Sequence, residues 1–160
     1  MFYNSYLYII LFNLNFMPFI GFNFDKIEAS KEADEIKGNI NVKHSLNIID
    51  IKQQEVTLDK KQEVLKFIFK FTLNYEPKIG SINLTGSMLY TEDQKKMKDI
   101  LQDWKKDKKI PQDVMQGLFN TILTKANIKA LNLAQDVNLP PHLPLPKLEA
   151  KSKNYNEYIG

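Results

Sequence analysis

The chain has 160 residues, 43% hydrophobic and 26% charged, which suffices for one ordinary domain with its own core. That mixture excludes a disordered chain, a collagen-like fibre and a polytopic membrane protein. Its 22 basic residues, all lysine, stand against 19 acidic ones for a net charge of +3, and the lack of arginine removes the bidentate fork that suits phosphate, carboxylate and guanine. There is no cysteine, so disulfides, thiolate catalysis, zinc fingers and iron–sulfur ligation are excluded together.

Residues 1–24 contain no charged side chain. A signal peptide would want a basic start and a small-residue cleavage site, and a membrane anchor, which Asn13, Asn15, Pro18 and Gly21 interrupt, would have Lys26 and Lys31 as its flank. The change of character at Met17 favours a third reading, in which residues 1–16 are a non-native upstream extension and a cytoplasmic domain begins at Met17. Residues 17–148 then form a single domain and 149–160 a loose tail. Phe19, Phe22 and Phe24 are expected in an N-terminal strand tucked onto the core, with an apolar edge open to a partner as the alternative.

After a charged connector from Glu28 to Lys37, Ile40, Val42, His44, Leu46 and Ile48 alternate with polar residues, as in a half-buried strand, and the slip at Ile48, Ile49 and Ile51 predicts a bulge. Asp59, Lys60 and Lys61 are expected in a turn. Leu65, Phe67, Phe69, Phe71, Leu73 and Tyr75 then share one side of a long strand, with Lys66, Lys70, Thr72 and Asn74 on the other and Val64 and Ile68 as apolar exceptions there. At ~25 cal/mol per Å2 and ~150–250 Å2 per ring, burying its four aromatics supplies roughly 15–25 kcal/mol of gross driving force, so this face must be covered. A loop from Tyr75 to Gly80 leads to a further alternation at Ile82, Leu84, Met88 and Tyr90, within which Gly86 marks a bulge or a close backbone approach. Successive strands on short loops predict an antiparallel sheet of about four strands.

Thr91 and Gln94 form a capping-box pattern, followed by Met97, Ile100, Leu101 and Trp104 at helical spacing, so a helix is expected to about Lys109. Its remaining surface carries Lys95, Lys98, Lys105, Lys106 and Lys109 beside a stripe of Asp99, Asp103 and Asp107. That surface reads either as a basic face for RNA or the ribosome or, preferably, as a solvated helix side. Pro111 and Asp113 begin a second helix whose stripe of Val114, Met115, Leu118, Phe119, Ile122, Leu123 and Ala126 suits the phenylalanine face of the sheet, and Gly117 allows close packing. Residues 127–137 read as either a short helix or an irregular crossing. Leu139 to Pro146 form an extended proline-rich strap, expected to pack its leucines on its own domain.

No HExxH, GxSxG or glycine-rich phosphate loop is present, His44 and His142 are the only histidines, and no enzyme activity, cofactor or metal is expected. His44, in the apolar register of its strand, is expected as a hydrogen-bonded core or edge residue.

The segments MPFIGFNFDKIEA, KFIFKFTLNYEPKIGSINLTGSMLY, DWKKDKKIPQDV and NLPPHLPLP, spread over residues 17–148, resemble a family of small lysine-rich archaeal proteins whose architecture is similar to that of the export chaperone SecB. The resemblance implies an α+β fold, with the antiparallel sheet packed on one face by two C-terminal helices. It further implies an ATP-independent holdase that oligomerises and binds unfolded or nascent polypeptides in apolar grooves beside sheet and helices. Phe19, Phe22, Phe24 and Trp104 are the expected client-binding side chains, with the lysine face of residues 92–109 as the rival surface for RNA or the ribosome, and a membrane as partner only if residues 1–24 anchor the chain.

Overall fold

The computed structural model describes residues 18–57 and 60–145. The extension at 1–16, the start at Met17, the turn residue Asp59 and the tail at 149–160 lie outside them. Four antiparallel strands, β1 (Phe19–Lys31), β2 (Asn41–Thr57), β3 (Lys61–Glu76) and β4 (Gly80–Tyr90), form one sheet in the order β1-β4-β3-β2. Two helices follow, α1 (Gln94–Asp107) and α2 (Gln112–Asp136). This is an α+β fold with both helices on one face of the sheet, because the buried side chains of sheet and helices form a single cluster.

Central β3 obeys its pattern completely: Leu65, Phe67, Phe69, Phe71, Leu73 and Tyr75 are all buried toward the helices. Strand β4 meets them with Ile82, Leu84, Met88 and Tyr90, all buried. Along α2, Val114, Leu118, Ile122, Ala126, Ala130 and Ala134 are buried, and the three alanines allow its C-terminal half to lie close to the sheet. The face of β3 turned away from the helices is less open than its lysines suggest, since Val64 is fully buried and Ile68 half-buried.

Several local expectations need correction. Strand β1 runs on to Lys31, four residues into the expected connector, because Glu28, Ala29, Ser30 and Lys31 still find partners on β4 in Asn83, Ile82, Ser81 and Gly80. The cap of α1 is Asp93 rather than Thr91: the Asp93 carboxylate accepts the Lys96 backbone N–H at 3.0 Å, while the Thr91 hydroxyl accepts from the Gln62 amide at 2.7 Å. That helix ends at Asp107, close to the expected end, since Lys108 turns left-handed at φ 55° and returns its N–H to the Trp104 carbonyl. Residues 127–136 are neither irregular nor a separate helix but the continuation of α2.

The bulge in β2 falls between Ile48 and Asp50, as the slip in alternation predicts. Gly86 marks the close approach, because a Cβ there would stand 2.3 Å from the Asn23 carbonyl oxygen and 2.6 Å from the Phe69 ring. Gly117 plays the same part on α2, where a Cβ would meet Phe19 at 3.0 Å.

Candidate functional site

Among the described residues the sheet ends in β1 on one side and β2 on the other, and the expected client-binding residues divide between these edges. Phe19, Phe22 and Phe24 lie at the β1 edge, half-buried and packed against the core. Phe22 and Phe24 meet edge-on at 4.9 Å, Phe22 lies 5.4 Å from the Phe69 ring, and Phe19 lies 5.4 Å from Tyr90. The Lys125 ammonium caps Phe22 at 5.2 Å. These rings therefore spend much of their surface on their own domain, in keeping with a strand tucked onto the core. The end of the uncharged stretch, residues 19–24, is thus sheet.

Close to that edge, ion pairs tie the helices together. The Lys96 ammonium reaches Asp113 at 3.1 Å and Glu92 at 3.8 Å, which joins the start of α1 to the start of α2. The hydrogen bond between Lys96 and Asp113 raises the lysine pKa and lowers that of the carboxyl. Burial pushes the Tyr90 hydroxyl up to about 12, with its hydrogen bond to Glu92 adding to the shift. Both pairs are at least one-third exposed, so they register the helices more than they stabilise the fold.

The opposite edge is open. Here α1 and α2 stand away from β2 and leave a groove of about 420 Å3, a volume within the range of ligand sites. Leu46, Ile48 and Ile49 form its sheet side, Trp104 and Lys108 its α1 side, and Ile110, Met115 and Phe119 the rest of its apolar lining. Ile49 owes its place to the bulge: it has no partner on β3 and stands 50% exposed at the rim. Trp104 is 6% exposed, so it forms the floor rather than a projecting ring. Its indole N–H donates to Asp50 at 3.4 Å, and the same carboxylate oxygen accepts the Ile51 backbone N–H at 2.9 Å. The Asp50 carboxylate thus links the floor to the bulge.

Trp104 is the single expected client-binding residue that the structure brings to this groove. Sequence reasoning missed the others. Met115 and Phe119 were assigned to the sheet-covering stripe of the second helix, and Ile49 was read as a bulge without a use. The signal for Ile49 was present, since a bulge next to an apolar run turns a side chain out of register.

The rival surface is exposed but mixed. Lys95, Lys98, Lys105, Lys106 and Lys109 all face solvent, interleaved with exposed Asp99, Asp103 and Asp107, and Lys109 lies 3.7 Å from Asp107. Nothing gathers the lysines into a one-signed patch.

At the far end, the strap of residues 139–145 lies on α2. Leu139 is buried with its N–H on the Ala134 carbonyl at 2.7 Å, Leu143 is half-buried and Leu145 is exposed. The His142 Nε2–H donates to Asn127 Oδ1 at 2.9 Å, its Nδ1 is buried with no partner, and its ring lies 5.6 Å from that of His44. Burial, and then His44, lower the His142 pKa. His44 itself is an exposed edge residue that keeps the helix-facing register, opposite Leu73, but is not core. Among the described residues no group of three or more His, Asp or Glu side chains could hold a metal, and no helix is long and apolar enough to cross a membrane.

No family model matches the chain, and neither does any curated protein. Among solved structures, the chain is similar to a SecB-like chaperone of Mycobacterium tuberculosis in complex with a ChAD peptide from an antitoxin, with a TM-score of 0.47 and 11% identity over 86% of this chain and 99% of that one.

Proposed function

We propose that this protein is a chaperone of the holdase type, which keeps non-native polypeptides soluble by taking extended apolar segments into the groove beside β2, without ATP. The observation that carries this reading is the conjunction of an apolar groove with a free strand edge. A 17-residue edge strand offers unpaired backbone groups to an extended chain, and the groove next to it takes that chain's apolar side chains. Strand addition supplies affinity with little sequence demand, and the shallow apolar lining adds tolerance, which together suit clients without a common motif. Trp104 acts as the floor of the site, while Phe19, Phe22 and Phe24 serve the fold first and offer clients only their exposed margins.

Such work needs no bond-making group, so no catalytic residue belongs to it. It would take place in the cytoplasm, and assembly of several copies would multiply grooves against one client. The test is suppression of aggregation of a chemically unfolded protein, without nucleotide, by the wild type and by Ile48→Asp, with solution mass measured in the same samples. Protection by the wild type, lost in a variant that keeps its circular dichroism spectrum, is the expected result. Equal protection by both removes the groove from the function. Binding that instead collapses between 50 and 200 mM salt, and needs Lys105 and Lys106, identifies the RNA or ribosome face as the working surface.

A further inference from the structure

The groove is one-sided in charge. Of its nine lining residues, Lys108 is the only ionisable one; Asn47 is polar and the rest are apolar. Lys108 is exposed, at the C-cap of α1. Its backbone is held left-handed at φ 55° by the N–H bond to the Trp104 carbonyl, and its ammonium stands 4.8 Å from the centre of the Trp104 ring. It makes no ion pair among the described residues. Asp50, bonded to the Trp104 indole and the Ile51 N–H, and Asp107, 3.7 Å from Lys109, make no ion pair with it.

An apolar chain that fills this groove displaces water from around the ammonium. A cation that loses water gains most from a carboxylate brought in by the ligand, and suffers most from a second cation. A ring beneath the ammonium keeps it at the groove while leaving its outer N–H donors free.

Resting on the reading of the groove as a polypeptide site, we infer that it selects extended apolar segments carrying one Asp or Glu side chain placed against Lys108, and rejects segments with Lys or Arg at that point. A peptide is favoured over a long-chain fatty acid of the same chemistry because only a peptide uses the backbone groups of the β2 edge.

The test uses the full chain and fluorescent ten-residue peptides with a Leu/Ile/Phe core, in which Asp, Asn or Lys is stepped through each position, with affinity read by anisotropy. In one register the Asp peptide is expected to bind about tenfold tighter than the Asn peptide at low salt, and the Lys peptide weaker than both. Lys108→Gln should equalise Asp and Asn peptides, and Lys108→Glu should reverse the order. Circular dichroism checks that both variants are folded. If Asp, Asn and Lys peptides bind equally in every register, the charge selection is wrong and the groove reading survives. If no peptide binds the folded wild type, both fail. Laurate binding at Lys108 without any peptide binding would move the site to lipid carboxylates.

Discussion

The two edges of the sheet hold similar apolar material and meet opposite fates. At the β1 edge, Phe22 and Phe24 meet each other and Phe69, and Phe19 meets Tyr90, beneath α2. At the β2 edge, Leu46 and Ile48 are half-buried against the core but Ile49 is exposed, and a groove opens between this edge and the helices. Small residues make the difference. Gly86 lets the Phe69 ring and the β1 backbone come together, and Gly117 lets Phe19 settle against α2, which crosses β4 and β1. Over β2 lies the 14-residue α1, whose Trp104 reaches the bulge through Asp50. An aromatic residue at a sheet edge is therefore not by itself a binding residue, since what decides is whether a helix is long enough, and its contact face small enough, to lie over it.

The largest expected effect comes from the β1 side. Phe69→Ala removes a fully buried ring that both Phe22 and Phe24 lean on, and should cost about 3–5 kcal/mol in urea unfolding. A loss below about 1 kcal/mol would mean that this edge is looser than its packing indicates. Gly86→Ala forces a methyl into the Asn23 carbonyl and the Phe69 ring, and should cost about 1–3 kcal/mol with faster hydrogen exchange in β1.

A paired experiment separates the edges more sharply. Both Phe22 and Phe119 are half-buried. Phe22→Ala should lower stability by about 2 kcal/mol and leave peptide affinity unchanged, whereas Phe119→Ala should cost about 1 kcal/mol and weaken peptide binding about tenfold. The reverse pattern would place the working edge at β1.

The smallest effect concerns the strap beyond both edges. Burial and His44 lower the His142 pKa, so the folded state favours the neutral ring. This contributes stability that is full above the unfolded value of 6.5 and is lost as pH falls from there through the lowered folded value. Protonation also turns the buried, unpartnered Nδ1 into a donor with no acceptor. The protection factor of the Leu139 amide, which takes out the intrinsic slowing of exchange in acid, should therefore fall between pH 7 and pH 5 in the wild type, and His142→Leu should flatten that dependence.

Much of the fold was legible because its strongest signals are local. The run from Leu65 to Tyr75 specifies a strand with one buried face under any arrangement that covers it, and the stripe from Val114 to Ala126 specifies the helix that does so. The Asp93 cap was less legible because Thr91 offered an equally good local pattern, and only the neighbouring strands showed that its hydroxyl was occupied by Gln62. Of the groove, Trp104 alone was anticipated. Its other residues come from β2, the link before α2 and the first turns of α2, which are adjacent in space and distant in sequence.

The sequence by itself determined the α+β class, the antiparallel sense of the strands and which face of each long element is buried, because alternation and helical periodicity depend on side-chain direction along a few residues of backbone. Only the tertiary structure decided which edge is closed and which is open. That choice depends on how near each helix can approach the sheet, and so on contacts such as Gly86 with Phe69 and Gly117 with Phe19, which no periodicity along the chain encodes.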